Sequence, residues 1–244
     1  TKQRTLKNTI SILSLICFLF FVQSTNAQQL TGKTLLAKSI DYHDTKNKWN
    51  KWNPTFTLEL EMQDRPNRMS EVTIDNKRSN FHLKVQRDSY LIERIIENGN
   101  CKTLFDGKET ADSAMIKKYR LDCERTEMYR NYYTYLYGLP MKLNEPGTII
   151  HEKVEKADLK GTIYWRMKVT YEASVGDDIW YFYFDENTYA LKAYQFYHDE
   201  SKNDGEYILL EGEVTLDGIT IPKDRTWYYN SNDKLLGTDF LNIE

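Results

Sequence analysis

Histidine followed by aspartate occurs twice in this chain, and this pair is the pattern closest to catalytic or metal chemistry. Tyr42-His43-Asp44 and Tyr197-His198-Asp199 repeat one tripeptide. An imidazole backed by a carboxylate is the usual zinc arrangement, but the spacing of a zinc signature is missing. Each aspartate can equally serve a local turn at the end of an element. We therefore expect no metal and no cofactor, and keep one enzymatic alternative, a hydrolase that uses His198 with Asp199 or Glu200.

Other catalytic patterns are missing from the sequence. It contains no G-x-S-x-G elbow, no H-E-x-x-H and no phosphate-binding glycine loop. An acid and base pair of carboxylates, as in glycosidases, would be spatial and would leave no spacing signature. The acidic run 199–206 departs from the calcium-loop pattern because Lys202 takes a position that needs an oxygen ligand. An enzyme is the less favoured class.

The most informative stretch runs from Cys123 to Leu143. At helical spacing it carries two adjoining apolar stripes made mostly of tyrosine. The first stripe contains Met128, Tyr132, Tyr135, Leu136 and Leu139, and the second contains Tyr129, Tyr133 and Tyr137. A helix that is apolar over more than half its circumference should be covered on two sides and lie against a sheet. Gly138 and Pro140 are expected to end it.

Two roles are open for these tyrosines. In the first, the helix is ordinary core and its hydroxyls reach strand ends. In the second, the helix lines a cavity and its hydroxyls face a ligand or water.

The amino terminus has the pattern of a cleavable signal peptide, residues 1–27. Lys2, Arg4 and Lys7 precede an apolar run over 10–22, and Ala27 ends a short segment of small and polar residues. The run is too short for a comfortable membrane span, and the residues around Cys17 do not form a lipobox. We expect a periplasmic or secreted protein without a membrane anchor.

Removal of this segment takes away three positive charges and no negative ones, so the formal charge changes from −3 to −6. Without a basic run, nucleic acid and anionic membrane surfaces are not expected partners. The remaining residues 28–244 are enough for a single domain with a sizeable core.

Two cysteines, Cys101 and Cys123, remain in that domain. An oxidising compartment favours a disulfide between them, which would hold the start of the tyrosine helix against the preceding strand. The alternative is a pair of inert free thiols.

Turn dipeptides and alternating patterns predict a mainly β fold with about 11–12 strands and three helices. Thr31 is a candidate N-cap for a helix to about Tyr42, and a short helical piece is expected around 112–118. Asn98-Gly99, Asp106-Gly107 and Asp217-Gly218 favour tight hairpins, and hence antiparallel neighbours. The predicted strands are Phe56–Met62, Met69–Asp75, Phe81–Arg87, Tyr90–Glu97, Lys102–Phe105, Ile149–Leu159, Thr162–Tyr171, Ile179–Asp185, Ala190–His198, Glu206–Leu216, Ile219–Asn230 and Leu235–Ile243.

A flat sheet of this size would expose an apolar face and two long edges. We therefore predict an α+β fold in which a strongly curved antiparallel sheet, or open barrel, wraps the aromatic helix. Space left beside the helix would form an aromatic pocket. The candidate lining residues, chosen by alternation along the strands and by helical spacing, are Tyr132, Tyr133, Tyr135, Trp180, Phe182, Tyr194, Phe196 and Trp227.

Several segments resemble a known family. YRNYYTYLYGLPMKL, DIWYFYFD followed by TYAL, YHDESKNDGEYILLEGE, IPKDRTWYYN and LLGTD are similar to an uncharacterised exported family of Gram-negative bacteria, a domain of unknown function. The resemblance covers nearly the whole chain after residue 27 and implies no activity. The order of elements resembles, more remotely, the LolA/LolB lipoprotein-carrier fold, an open barrel with a helical lid over an apolar cavity.

The expected function is binding or carriage of an amphipathic ligand, such as a lipid or acyl chain, in the aromatic pocket. The alternatives are the hydrolase described above and a module that binds another envelope protein at a sheet edge.

Overall fold

The computed structural model describes residues 30–87 and 89–243. The described residues from Thr31 onward form one compact unit. The predicted signal peptide, residues 1–27, lies outside the described residues, so its cleavage stays a prediction. Within the described ranges, every helix is too short or too polar to span a bilayer.

Twelve strands and three α-helices make up the unit. The helices are α1 (Gly32–His43), α2 (Ser113–Tyr119) and α3 (Cys123–Gly138). The first group of strands is β1 (Thr55–Met62), β2 (Arg65–Asp75), β3 (Asn80–Gln86), β4 (Leu91–Glu97) and β5 (Asn100–Phe105). The second group is β6 (Thr148–Leu159), β7 (Thr162–Tyr171), β8 (Ile179–Phe184), β9 (Leu191–Tyr197), β10 (Glu206–Leu216), β11 (Ile219–Tyr229) and β12 (Leu235–Asn242).

All twelve strands belong to one antiparallel sheet that does not close. The strand order is β5-β4-β3-β2-β1-β12-β11-β10-β9-β8-β7-β6. Every neighbouring pair is consecutive in sequence except β1 and β12, which join the two groups at the centre of the sheet. The predicted α+β fold with a curved, open sheet of about 11–12 strands is confirmed.

The hairpin dipeptides explain this regular order. Asn98-Gly99, Asp106-Gly107, Lys160-Gly161 and Asp217-Gly218 all have positive φ at both positions. Two consecutive left-handed residues are the signature of the turn whose twist matches that of antiparallel strands. The three reversals expected from the Asn-Gly and Asp-Gly pairs are therefore present, and Lys160-Gly161 forms a fourth.

Contacts of α3 show that the sheet curls around it. Tyr133 stacks on Phe81 of β3, with ring centroids 6.3 Å apart. Tyr135 meets Trp180 of β8 at 5.3 Å. In a flat sheet, seven strand spacings of about 4.8 Å would place β3 and β8 about 34 Å apart. A helix with its side chains is only about 10–12 Å wide, so the sheet must bend to meet both sides of α3.

Helix α1 packs at one end of the same sheet through Leu35, Leu36, Ser39 and His43, all buried. Thr31 caps it, as predicted, by accepting the Thr34 backbone N–H at 3.3 Å. At its other end, His43 Nδ1 donates to the Thr220 carbonyl at 2.6 Å, and Nε2 accepts the Leu191 backbone N–H at 2.9 Å. This pair of bonds requires neutral imidazole. Burial lowers the pKa of His43. This effect is larger than that of the hydrogen bond to the Thr220 carbonyl, which raises the pKa.

A disulfide joins the sheet to α3. Cys101 is the second residue of β5 and Cys123 is the first residue of α3, with their Cα atoms 5.9 Å apart. The Asp122 carboxylate caps the same helix end by accepting the Arg125 backbone N–H at 2.7 Å. Both bonds fix the entry of α3 into the concave side of the sheet.

The disulfide is predicted to stabilise the fold by about 3 kcal/mol, because it closes a loop with a sequence separation of 22 residues. Chemical denaturation should show this loss for a Cys101→Ser, Cys123→Ser double variant of residues 28–244. Thiol titration of the unfolded, unreduced parent should find no reactive sulfur, whereas two reactive sulfurs would disprove the bond.

The neutral state of His43 predicts a pH-dependent stability. Because folding lowers the pKa of His43, its contribution is complete above the unfolded pKa of about 6.5 and is lost as the pH falls below that value. The loss approaches about 1.4 kcal/mol per pH unit between the unfolded and folded pKa values. Denaturation from pH 7.5 to 5 should therefore show a steeper decline for the parent protein than for His43→Gln. A His198→Gln control should keep the parent's steep decline, and equal slopes for the parent and His43→Gln would contradict the assignment.

Candidate functional site

Helix α3 is buried along one side and accessible along the other. Tyr133 and Tyr137 are each 2% exposed, and Leu136 is also buried, whereas Met128 and Tyr132 are each 40% exposed. The expectation that both stripes would be covered is therefore wrong for Met128 and Tyr132, whereas Leu136 and Leu139 of the same stripe are buried. The uncovered side faces a hollow that the curved sheet leaves open.

The eight residues predicted to line a pocket form one continuous series of ring contacts. Tyr132 touches Tyr133 and stacks on Trp227, with centroids 5.2 and 6.5 Å apart. Trp227 meets Tyr194 at 6.4 Å. Trp180 then contacts Tyr135, Phe182, Tyr194 and Phe196, with centroid distances of 5.3, 5.9, 6.1 and 4.8 Å.

A cavity of about 720 Å³ opens beside this cluster, and we call it the aromatic cavity. Its ring and apolar walls are Trp49, Ile74, Tyr132, Tyr135, Pro146, Tyr171, Val175 and Trp180. Neutral polar groups complete it, including Asn50, Asn76, Ser79, Asn80, Asn131, Thr134 and Thr148. This volume lies within the usual range for small-molecule sites, about 300–1,000 Å³.

Three of the eight predicted residues, Tyr132, Tyr135 and Trp180, line the aromatic cavity directly. Phe182 and Tyr194 have no exposed surface and form the wall behind the lining. Phe196 and Trp227 are half-buried and flank that wall, and Tyr133 faces a different pocket on the other side of α3. Their role in binding a ligand stays a prediction.

Every charged side chain that lines the aromatic cavity has an oppositely charged side chain beside it or, for Asp178, a hydrogen-bonded histidine. Asp75 accepts from Arg78 at 2.9 Å, and Arg130 pairs with Glu127 at 2.7 Å. Lys142 and Glu145 pair with each other, and Asp178 pairs with His198 at 2.6 Å. The cavity therefore presents rings, amides and hydroxyls and has no unpaired charge among its described lining residues.

The phenols of this cavity stay neutral over the physiological pH range. The Tyr135 and Tyr171 hydroxyls share a hydrogen bond of 2.5 Å. Burial raises the pKa of Tyr171 to about 12 and raises the pKa of Tyr135 well above its ordinary value. Burial also raises the pKa of Tyr132 well above its ordinary value, although 40% of that residue is exposed. A raised pKa together with partial exposure fits a Tyr132 side chain that lines an open hollow surrounded by protein.

A buried arginine ties α3 to the sheet below the aromatic cluster. Arg225 of β11 is 1% exposed and lies 3.8 Å from the centre of the Tyr137 ring. It donates to the Pro222 carbonyl at 3.0 Å and the Leu136 carbonyl at 3.4 Å. Its cross-strand partner is Asp239, and burial raises the pKa of that carboxyl. A cation at the carboxyl end of a helix is favoured by the helix dipole.

The residues of the predicted hydrolase do not converge in a cleft. His198 is exposed and bonds Asp178, not Asp199. Asp199 accepts the Ser201 backbone N–H at 3.1 Å, as in the local-turn interpretation, and Glu200 accepts the Tyr181 hydroxyl at 2.6 Å. The Asp178 side chain raises the pKa of His198 by accepting its hydrogen bond. These contacts describe a solvated ion-pair network at the end of β9.

The two His-Asp pairs do not form a common metal site. His43 is 1% exposed and uses both ring nitrogens on backbone groups, whereas His198 lies at the surface. Asp44 accepts the backbone N–H groups of Lys48 and Trp49 at 2.7 and 2.9 Å, which is again a turn role. No metal-binding cluster of three or more His, Cys, Asp or Glu side chains occurs within residues 30–87 and 89–243.

The two sheet edges do not offer a long apolar strand. The outer strand β5 has six residues, and β6 carries exposed Glu152, Lys153 and Lys156. Charged side chains on an edge oppose pairing with another strand. The predicted alternative of edge-to-edge protein binding therefore gains no support from the geometry.

Sequence patterns missed part of the cavity wall. Trp49 comes from a short 3-10 helix after α1 and was not among the eight predicted lining residues. Asn76 and Ser79 come from the β2–β3 turn and Asn80 begins β3, and Asn76 donates to the Trp49 carbonyl at 2.8 Å. The one available signal was the pair Trp49 and Trp52 within an otherwise polar loop.

Fold and site together define a curved-sheet protein with an aromatic helix in its concave side and an open cavity beside that helix. Residues 8–244 match DUF6503, a family of unknown function. The chain belongs to this family, which agrees with the family resemblance seen in the sequence. No curated protein matches the chain.

Three solved structures are remotely similar. A LolA superfamily protein from Nitrosomonas europaea has 9% identity, a TM-score of 0.49, and coverage of 88% of this chain and 92% of its own. A DUF1329 family protein from Desulfovibrio piger has 6% identity, a TM-score of 0.43, and coverage of 86% and 90%. A proposed outer membrane lipoprotein-sorting protein domain from Vibrio parahaemolyticus has 10% identity, a TM-score of 0.45, and coverage of 86% and 90%. At this level of similarity, no functional conclusion follows from them.

The close approach of Gly138, at the end of α3, to the Trp49 ring predicts that Gly138→Ala destabilises the protein. A Cβ at Gly138 would lie 2.3 Å from Trp49 Cη2, inside van der Waals contact. We expect a loss of about 1–3 kcal/mol in the free energy of unfolding. Gly176→Ala, where a Cβ would meet no atom within 4 Å, should change it by less than about 0.5 kcal/mol. If Gly138 did not touch Trp49, alanine would stabilise the helix relative to glycine. A Gly138→Ala variant that is as stable as the parent, or more stable, would therefore contradict the contact.

Proposed function

We propose that the protein is an exported binding or carrier protein that holds the apolar part of an uncharged or amphipathic small molecule in the aromatic cavity. The observation that carries this proposal is the combination of an open cavity of about 720 Å³ with rings on its walls and paired charges at its margin. Lipids and acyl chains are the ligand class that we favour.

The walls supply the driving force for binding. Burial of apolar ligand surface against Tyr132, Tyr135 and Trp180 contributes roughly 25 cal/mol per Å² before ordering costs are subtracted. These rings already contact other rings, so they lose little freedom when a ligand enters.

The neutral polar groups supply orientation. Asn131 and Thr134 line the cavity from α3 beside Tyr132 and Tyr135, and the Tyr135 and Tyr171 hydroxyls form a bonded pair. Amides and hydroxyls can bond a neutral polar headgroup, whereas a ligand charge would compete with the existing ion pairs.

The direct test is binding of N-phenyl-1-naphthylamine, an uncharged apolar probe, followed by its displacement with a monoacylglycerol. We expect saturable fluorescence enhancement and displacement. Tyr132→Ala should weaken probe binding about tenfold, because it removes one ring contact. Asn131→Trp should abolish binding by filling the cavity from an exposed position.

Tyr229→Ala is the matched control, because Tyr229 is also 40% exposed but does not line the cavity. It should leave the affinity unchanged. Failure of the probe to bind, or equal effects of Tyr132→Ala and Tyr229→Ala, would contradict the proposal.

A further inference from the structure

A second pocket, of about 240 Å³, lies on the other side of α3, and we call it the basic pocket. Six of its twelve lining residues are cationic, and none is acidic: Arg68, Arg87, Arg94, Lys118, Arg120 and Arg125. Tyr90, Tyr119, Tyr129 and Tyr133 complete its polar lining. It shares no residue with the aromatic cavity.

These six cations share one small space and have no carboxylate counterion in it. None of the six lies within 4.0 Å of a carboxylate oxygen in the described part of the chain. Arg130, only five residues after Arg125 on α3, does pair with Glu127. Like charges around one small space repel each other, so the basic pocket favours an anion by simple electrostatics.

Arg94 is fixed at the base of this pocket. It is 4% exposed, and its guanidinium donates to the Arg120 carbonyl at 2.7 Å and the Thr126 hydroxyl at 3.3 Å. The Tyr129 ring stacks against it at 5.2 Å. All these partners are neutral. Asp122, the N-cap of α3, attracts Arg94 electrostatically without forming an ion pair with it. Its carboxylate instead accepts the Arg125 backbone N–H.

Arg94 also occupies a buried strand position of the kind that an apolar residue usually fills. In β4 it alternates with Ile92 and Ile96 on the face that points toward α3, and both isoleucines are buried. A buried cation is costly unless it is paired or hydrogen-bonded. The other five cations are only half-buried or exposed, so they remain able to reach a ligand.

We propose that the basic pocket is an oxyanion site that binds a phosphate group. Arginine suits this ligand because its planar fork of N–H groups bonds two oxygens of one phosphate at once. The volume is below that of a drug-sized site and fits a small headgroup or a free phosphate ester. The protein has a negative overall charge, so this local cluster of cations is not part of a general basic surface.

The test is isothermal titration of the purified protein with inorganic phosphate at constant ionic strength. We expect a dissociation constant of about 1 mM or tighter. An Arg120→Gln, Arg125→Gln double variant should bind at least tenfold more weakly. Arg94 is left in place because it also holds backbone carbonyls, and thermal unfolding checks that the variant is folded.

The matched control is a Lys84→Gln, Lys102→Gln double variant, which removes the same net charge. Lys84 and Lys102 form ion pairs with Glu71 and Glu109 and lie outside the basic pocket. It should change the affinity less than twofold. No saturable phosphate binding, or equal weakening in the two double variants, would overturn the proposal.

Two further ligands identify the source of the phosphate. Competition with sn-glycerol 3-phosphate and with dihexanoyl phosphatidic acid compares the same group with and without acyl chains. A phosphatidic acid that competes at least tenfold better assigns a lipid headgroup, and equal competition assigns a soluble phosphate ester. Failure of both to displace phosphate would contradict a site for phosphate esters.

Discussion

Tyrosine side chains on opposite sides of α3 contact strands that lie seven positions apart in the sheet, and these contacts set the curvature of the sheet. Tyr133 reaches Phe81 on β3, and Tyr135 reaches Trp180 on β8. A sheet that meets both must bend, and a bent sheet has a concave side larger than one helix can fill. The Cys101–Cys123 disulfide holds the start of α3, and Arg225 holds its end. The space beside the helix is therefore a direct result of how the helix is fixed.

The two spaces on either side of α3 differ in charge. Around the aromatic cavity, each described charged residue has a partner, so rings and neutral polar groups dominate what a ligand would meet. Around the basic pocket, six cations lack carboxylate partners among the described residues. One helix thus separates a site suited to an apolar or neutral group from a site suited to an anion. The two sites can be tested independently because they have no lining residue in common.

Much of this fold could be predicted from local patterns. Alternation within Trp180–Phe184 and the turn dipeptides gave strands whose bounds agree closely with the structure, since both signals act within a few residues. The ring cluster could be predicted for the same reason, because its members follow from alternation along strands and from helical spacing. The basic pocket was not, because Arg68, Arg94 and Arg125 come from β2, β4 and α3 and converge only through strand register and the path of the helix. An inward-facing arginine within the pattern of β4 was the signal that could have revealed it.

We propose that the hollow beside α3 is a binding site and not merely imperfect packing. A crystal structure of the protein with a bound monoacylglycerol would distinguish the two. We expect electron density for the acyl chain between Tyr132, Tyr135 and Trp180, with the glycerol group near Asn131. Density for the chain on the outer face of the sheet, or a hollow closed by side chains, would contradict it.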